Sequence, residues 1–214
     1  MPIKSYTYHY YEDKDGNSFP IPFEMDDYSI LLHIQGDKAI LGCLAHDEYP
    51  DDPIDNFDEG GFHQFNDHYV HSTPRPDVDE FKRIVRSNPG RVVLIHERSG
   101  GQGYFADDTA LGIHDTKTDA ILEIENADGY YIAPDDVTDP AKYAKGVMEE
   151  YSAWCEGDVW GICIWQYTKE GDEWELDEES RDECWGFFGR KYAEEELDML
   201  FKSYVREKIN EHTM

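Results

Sequence analysis

Three kinds of residue in this sequence could do chemistry: carboxylates in dense blocks, histidines grouped in a turn-rich stretch, and scattered cysteines. Asp47, Glu48, Asp51, Asp52, Asp55, Asp58 and Glu59 put seven carboxylates into thirteen positions without one base. Residues 170–183 hold nine more, among them Glu173, Glu175, Asp177 and Glu178, against the single Arg181. Carboxylates at this density can imitate duplex nucleic acid, which carries one charge per about 1.7 Å of axis, and can occupy the basic cleft that would bind it. The plain alternative is a solvated face, but the self-repulsion of two such blocks costs stability that solubility does not require.

His63, His68 and His71 beside Asp67 offer three imidazoles and a carboxylate, a set that suits zinc. Their i, i+5, i+8 spacing matches no helical metalloenzyme pattern, so they are read as loop histidines, and no metal or other cofactor is expected. Asp13, Asp15, Gly16 and Asn17 look like half of a calcium loop that lacks its bidentate Glu, and a hairpin turn accounts for them better. His96 and Glu97 with Ser99, Cys43 or Cys155 as nucleophile would make a hydrolase, yet no nucleophile elbow accompanies them and no catalytic residue is assigned. Ser99-Gly100-Gly101-Gln102-Gly103 has no Lys-Ser/Thr after it and no GxGxxG register, so it is not read as a phosphate cradle.

The 214 residues carry 48 Asp plus Glu against 19 Lys plus Arg, a formal charge of −29. That sign repels DNA, RNA and anionic membranes, so direct nucleic-acid or membrane binding is not expected. Hydrophobic residues make up 39% of the chain and include 10 Phe, 15 Tyr and 5 Trp, which argues for a packed core rather than disorder. No apolar run approaches the ~20 residues of a membrane span, and the N-terminus lacks the apolar core of a signal peptide. Cys43, Cys155, Cys163 and Cys184 have neither CxxC spacing nor disulfide-scaffold density and read as reduced core thiols.

These residues need elements to position them. Residues 5–11 alternate like a strand and run into a turn, and Ser29 to Ile34 with Lys38 to Leu44 make a hairpin around Gly36. His46 to Pro76 reads as a long polar excursion. Helices are expected over 77–87, from Asp139-Pro140 to about Cys155 with Gly157 as the stop, and from Tyr192 to about Ile209 with Leu197, Leu200, Phe201, Tyr204 and Val205 on one side. Strands are expected over 91–96 and 158–168, the latter pairing with 173–176, and 119–125 and 129–132 are shorter apolar pieces. All five Trp residues lie between 154 and 185, and core packing is the expectation for them, Trp160, Trp165 and Trp185 included. The pattern predicts an α+β fold, a mixed or antiparallel sheet with two or three packed helices in one compact unit spanning 1–214. Residues 1–75 form a β-rich part of it.

Glu149-Glu150-Tyr151 through Gly157-Asp158-Val159-Trp160-Gly161, followed by Asp182-Glu183-Cys184-Trp185-Gly186-Phe187-Phe188-Gly189, resembles a family of small acidic proteins of phages, prophages and mobile elements. Glu183 and Phe188 replace that family's Ser and Tyr. His96 to Gly100 and Gly129 to Ile132 are further echoes, so the resemblance covers roughly residues 92–190. It implies a mobile-element setting but no catalytic residues, and the lack of an apolar span or signal-peptide core leads to the expectation of the host cytoplasm. Together with the acid blocks it leads to the expectation of an anti-CRISPR or anti-restriction inhibitor. Such a protein mimics nucleic acid and blocks the basic cleft of a host defence nucleoprotein or nuclease. Two alternatives stay open: a phage-encoded enzyme using His63, His68 and His71 or the His96 region, and an acidic adaptor that binds by shape complementarity, for example through Phe57, Phe62, Phe65 and Tyr69.

Overall fold

The structure, a computed structural model, describes residues 9–23, 25–26, 29–53, 61–65, 72–98 and 103–211. In chain order the strands are β1 (His9–Glu12), β2 (Ser18–Ile21), β3 (Ile30–Gln35), β4 (Lys38–His46), β5 (Gly61–Gln64), β6 (Val92–Glu97), β7 (Tyr104–Ala106), β8 (Gly129–Ile132), β9 (Val159–Glu170), β10 (Glu173–Leu176) and β11 (Asp182–Phe188). The helices are α1 (Val78–Ser87), α2 (Pro140–Glu156) and α3 (Arg190–Glu211). The fold is α+β with antiparallel pairing throughout the named strands. Among the described residues no helix is long and apolar enough to cross a membrane.

The chain packs as two compact units, 1–50 with 158–214 and 51–157, and not as the single unit expected from the sequence. No linker announces the division: one junction falls after Pro50, shortly past the end of β4 at His46, and the other is the helix stop Gly157, at φ 71°.

In the first unit β9 is the spine. One of its edges pairs with β4, and the other is shared end to end by β11 and β10. The period-2 alternation of strands gives this sheet two apolar faces. Leu41, Cys43, Cys163, Trp165 and Tyr167 pack against Phe19 and Ile21 of the β1–β2 hairpin. Ile40, Leu44, Ile162 and Ile164 pack against Ala193, Leu197 and Phe201 of α3. Leu200, expected on that buried side, is exposed, because the helix turns it away from the Leu197–Phe201 stripe. Gly42 lets α3 approach: a Cβ there would stand 2.7 Å from Phe201 Cδ2 and 3.2 Å from Leu197 Cδ1. Gly42→Ala is therefore expected to cost about 1 to 3 kcal/mol of stability by overpacking. Part of that loss should return when Phe201→Leu is added, measured by urea denaturation; strictly additive losses would contradict the contact.

The second unit repeats the scheme on a β5-β8-β6-β7 sheet. Val93, Ile95, Tyr104 and Tyr131 face Ala144, Val147, Met148 and Tyr151 of α2. Val92, Leu94 and Tyr130 face Phe81 and Val85 of α1. The apolar piece at 119–125 is a 3-10 helix whose Ile121 and Ile124 join this second layer. Both α-helices start where the sequence signals it, with Asp77 accepting from Glu80 N–H and Asp139 from Lys142 N–H.

Candidate functional site

The second acid block is built onto a tight hairpin. Glu173 pairs with Glu170 across the two-residue turn Gly171-Asp172, and Gly171 takes the positive φ, 65°, that the turn needs. Beyond it β10 is an edge strand, and its pleat points Trp174 inward while Glu173 and Glu175 stay exposed. These two carboxylates stand on one face, about 6.7 Å apart along the strand. Trp174 anchors the arrangement: its ring stacks on Phe19 at 5.2 Å, its Nε1 donates to Asn17 Oδ1 at 3.3 Å, and Lys169 Nζ lies 5.5 Å from its centroid. The Asn17 turn is held in place by the Asp13 carboxylate, which accepts from the N–H groups of Asp15 and Asn17 and from Asn17 Nδ2. The calcium-loop-like residues thus form the hairpin turn expected of them.

Between the β1–β2 hairpin and β10 lies a groove of about 540 Å³. Asp172, Glu173, Glu175 and Glu178 line it together with Tyr10, which is 67% exposed, and among the described residues the lining holds no base. Glu178 is partly engaged by Arg181 at 3.4 Å, and Arg181 is itself drawn to Glu183 at 2.6 Å. Asp177, read from sequence with this group, lines a different recess. An anionic trough with an aromatic rim, fixed on a packed hairpin, can receive ammonium or guanidinium side chains.

The first acid block is less compact. Asp47, whose N–H donates to Val159 O and whose carboxylate accepts from Tyr49 N–H, and the exposed Glu48 belong to the first unit. Asp51, exposed, and Asp52, half-buried, belong to the second. Asp55, Asp58 and Glu59 lie outside the described residues, as do Phe57, Asp67, His68, Tyr69 and His71.

The other sequence candidates have settled neighbours. His63 sits on β5 with its ring stacked on Tyr130 at 4.4 Å, and burial holds its pKa below the usual imidazole value. Among the described residues no three His, Cys, Asp or Glu side chains gather as a metal-ligand group. His96 Nε2 lies 3.2 Å from Asp107 Oδ1 and its ring stacks on Phe105 at 5.3 Å, while Ser99 lies outside the described residues.

Two expectations need correction. Trp185 is 42% exposed and Trp160 half-buried, so of the three Trp residues expected in the core only Trp165 is fully buried. The cause is a register shift in β11: Cys184 opposes Ile162, but Phe187 opposes Trp160, and Gly186 at φ 88° takes up the extra length. This lays the Trp185 ring over Gly161, where a Cβ would overlap it, and beside Phe23. The thiols differ likewise, since Cys43 and Cys163 are buried, Cys155 is half-buried and Cys184 is exposed. The hydrogen bond to Cys43, with burial, holds Cys163 protonated, and burial pushes the Cys155 thiol up to about 11. Alkylation of the native protein, followed by peptide mass mapping, should therefore modify Cys184 first and spare Cys43 and Cys163 until the chain unfolds. Equal labelling of all four would refute this placement.

Comparison with protein-family models, with curated proteins and with solved structures finds no match to this chain.

Proposed function

We propose that the protein is an acidic decoy whose groove beside β10 captures a basic, nucleic-acid-binding surface of another protein. The observation that carries this reading is the groove itself: Asp172, Glu173, Glu175 and Glu178 line one trough, with no base among the described residues of its wall, beside an edge strand anchored by Trp174. The net charge of −29 supports it, because such a field speeds encounter with a cationic partner and repels nucleic acid from the protein itself. The resemblance of residues 92–190 to acidic phage and mobile-element proteins directs the proposal to a host defence nuclease or nucleoprotein in the cytoplasm of an infected cell, as an anti-CRISPR or anti-restriction inhibitor.

The experiment is a plating assay. The protein is expressed in hosts carrying defined CRISPR or restriction systems, and phage plating is compared with and without it. Wild type should restore plating against a susceptible system, and the Asp172→Asn/Glu173→Gln/Glu175→Gln variant should fail to do so at equal expression. Absence of protection, or equal protection by the variant, counts against the decoy.

A further inference from the structure

The acidic groove borders a sheet edge whose backbone groups point out of the sheet. Among the described residues β10 pairs only with β9, at the end of the path β10-β9-β4-β3. The ladder fixes which groups face outward. Glu170 and Glu173 flank the two-residue turn as a hydrogen-bonded pair, so Lys169 with Trp174 is the next, non-bonded pair, and Thr168 with Glu175 is bonded again. Two bonds agree with this alternation. Asp177 N–H donates to Gln166 O at 3.0 Å, one bonded step further, and Lys169 N–H donates away from β10, to Asp37 O at 2.8 Å. The N–H and C=O groups of Trp174 and Leu176 therefore point away from β9, and both residues line the groove.

The opposite wall does not complete this edge. Ser18 and Pro20 of β2 line the groove, but Pro20 has no N–H and its carbonyl accepts from the Tyr167 hydroxyl at 3.0 Å. Among the described residues no strand pairs with the outer side of β10, and such an edge is a template for another extended segment. Alternation along a strand decides what that segment carries. Its residues opposite Glu173 and Glu175 share one face, and opposite charges in directly opposed positions stabilise a strand pair. The residue between them falls on the face of Trp174 and Leu176, whose side chains belong to the apolar layer under the β1–β2 hairpin. A second copy of this chain is a poor occupant, since edge-to-edge pairing would bring two sets of Glu173 and Glu175, and two chains of charge −29, together.

We propose, resting on the decoy reading of the groove, that β10 takes hold of its partner by strand addition. The captured segment is extended and bears Lys or Arg at every second position with apolar residues between. Its backbone bonds to the N–H and C=O groups of Trp174 and Leu176, and its cations stand against Glu173 and Glu175. Main-chain bonds supply affinity that does not depend on sequence, and the carboxylates select the basic pattern.

The test titrates the full chain with two end-blocked peptides of one composition, the alternating Arg-Val-Arg-Val-Arg-Val and the block isomer Arg-Arg-Arg-Val-Val-Val. Affinity is read by fluorescence anisotropy and amide hydrogen exchange by nuclear magnetic resonance. The alternating peptide should bind about tenfold more tightly than its isomer. On binding, the amides of Trp174 and Leu176 should gain protection, while those of Glu173 and Glu175, already bonded to β9, change little. Equal affinity of the two peptides, or binding without protection at Trp174 and Leu176, would overturn strand addition and leave the decoy reading standing. Failure of both peptides to bind would overturn both. Protection of the same amides that rises with protein concentration alone would assign the edge to a second copy of the chain and overturn the proposal as well.

Discussion

Converting Asp172 to Asn and Glu173 and Glu175 to Gln is expected to weaken binding of a cationic partner about tenfold while leaving the fold intact. The magnitude follows from exposure. Exposed ion pairs are each worth about 0.2 to 1 kcal/mol, so three lost together amount to about 0.6 to 3 kcal/mol, and about 1.4 kcal/mol is tenfold. An oligo-arginine peptide serves as a surrogate partner whose binding can be followed by fluorescence anisotropy. Affinity of the wild type should fall as salt rises, because the screening length shrinks from about 10 Å at 0.1 M to about 3 Å at 1 M. The variant should show a weaker salt dependence along with its weaker binding.

The positions of the remaining carboxylates supply controls. Asp177→Asn should leave peptide affinity unchanged, since Asp177 lines the recess with His33 and Lys38 and not the groove. Glu178→Gln should have a smaller effect than Glu175→Gln, because Arg181 already engages Glu178. Asp51→Asn with Asp52→Asn tests the first acid block separately, in the other unit. The melting temperature of the Asp172/Glu173/Glu175 variant should be equal to wild type or higher, as like-charge repulsion among exposed carboxylates is relieved. If the triple variant binds as tightly as wild type across the salt range, the groove carboxylates are a solvated face and the decoy reading falls.

Local chemistry was legible in the sequence wherever a single segment decides the outcome. Asp77 and Asp139 announce helix starts, Gly157 a helix stop, and Gly36 and Gly171 the tight turns of two hairpins. The acid density of residues 170–183 was equally plain. What stayed hidden depends on distant segments meeting. The groove exists because β2, some 150 positions away in sequence, stands beside β10, and this sorts Glu173 and Glu175 from Asp177 in a way no spacing could show. Trp185 falls in a strand-like run, and nothing there signals the slipped register that carries it over Gly161. The stretches 157–161 and 182–189 meet at that contact. Gly161 gives Trp185 room, and Asp158 accepts from Trp160 Nε1 and from the first N–H of α3. In this structure they act as joints between β9, β11 and α3.

Replacing Trp165 by Ala should produce the largest loss of stability, about 3 to 5 kcal/mol. Trp165 is fully buried in the middle of β9, its ring meets Phe23 edge-on at 5.3 Å, and its Nε1 donates to Glu183 Oε1 at 3.2 Å. Truncation therefore opens a cavity and removes a hydrogen bond to a half-buried carboxylate that Arg181 also holds. Against a typical total of about 5 to 15 kcal/mol, the change should move the urea midpoint well below that of wild type. Trp185→Ala is the contrasting variant. Its ring is 42% exposed, so less area returns to water and no closed cavity forms, and a loss of about 1 kcal/mol is expected. Because the two units have separate cores, one around Trp165 and the other around Val93 and Tyr131, the loss from Trp165→Ala should be confined to the first. Hydrogen exchange can read this directly: amides of β4 and β9 should lose protection while those of β6 and β8 keep theirs. Equal urea midpoints for the two Trp variants would show that the slipped register of β11 does not separate a core tryptophan from a surface one.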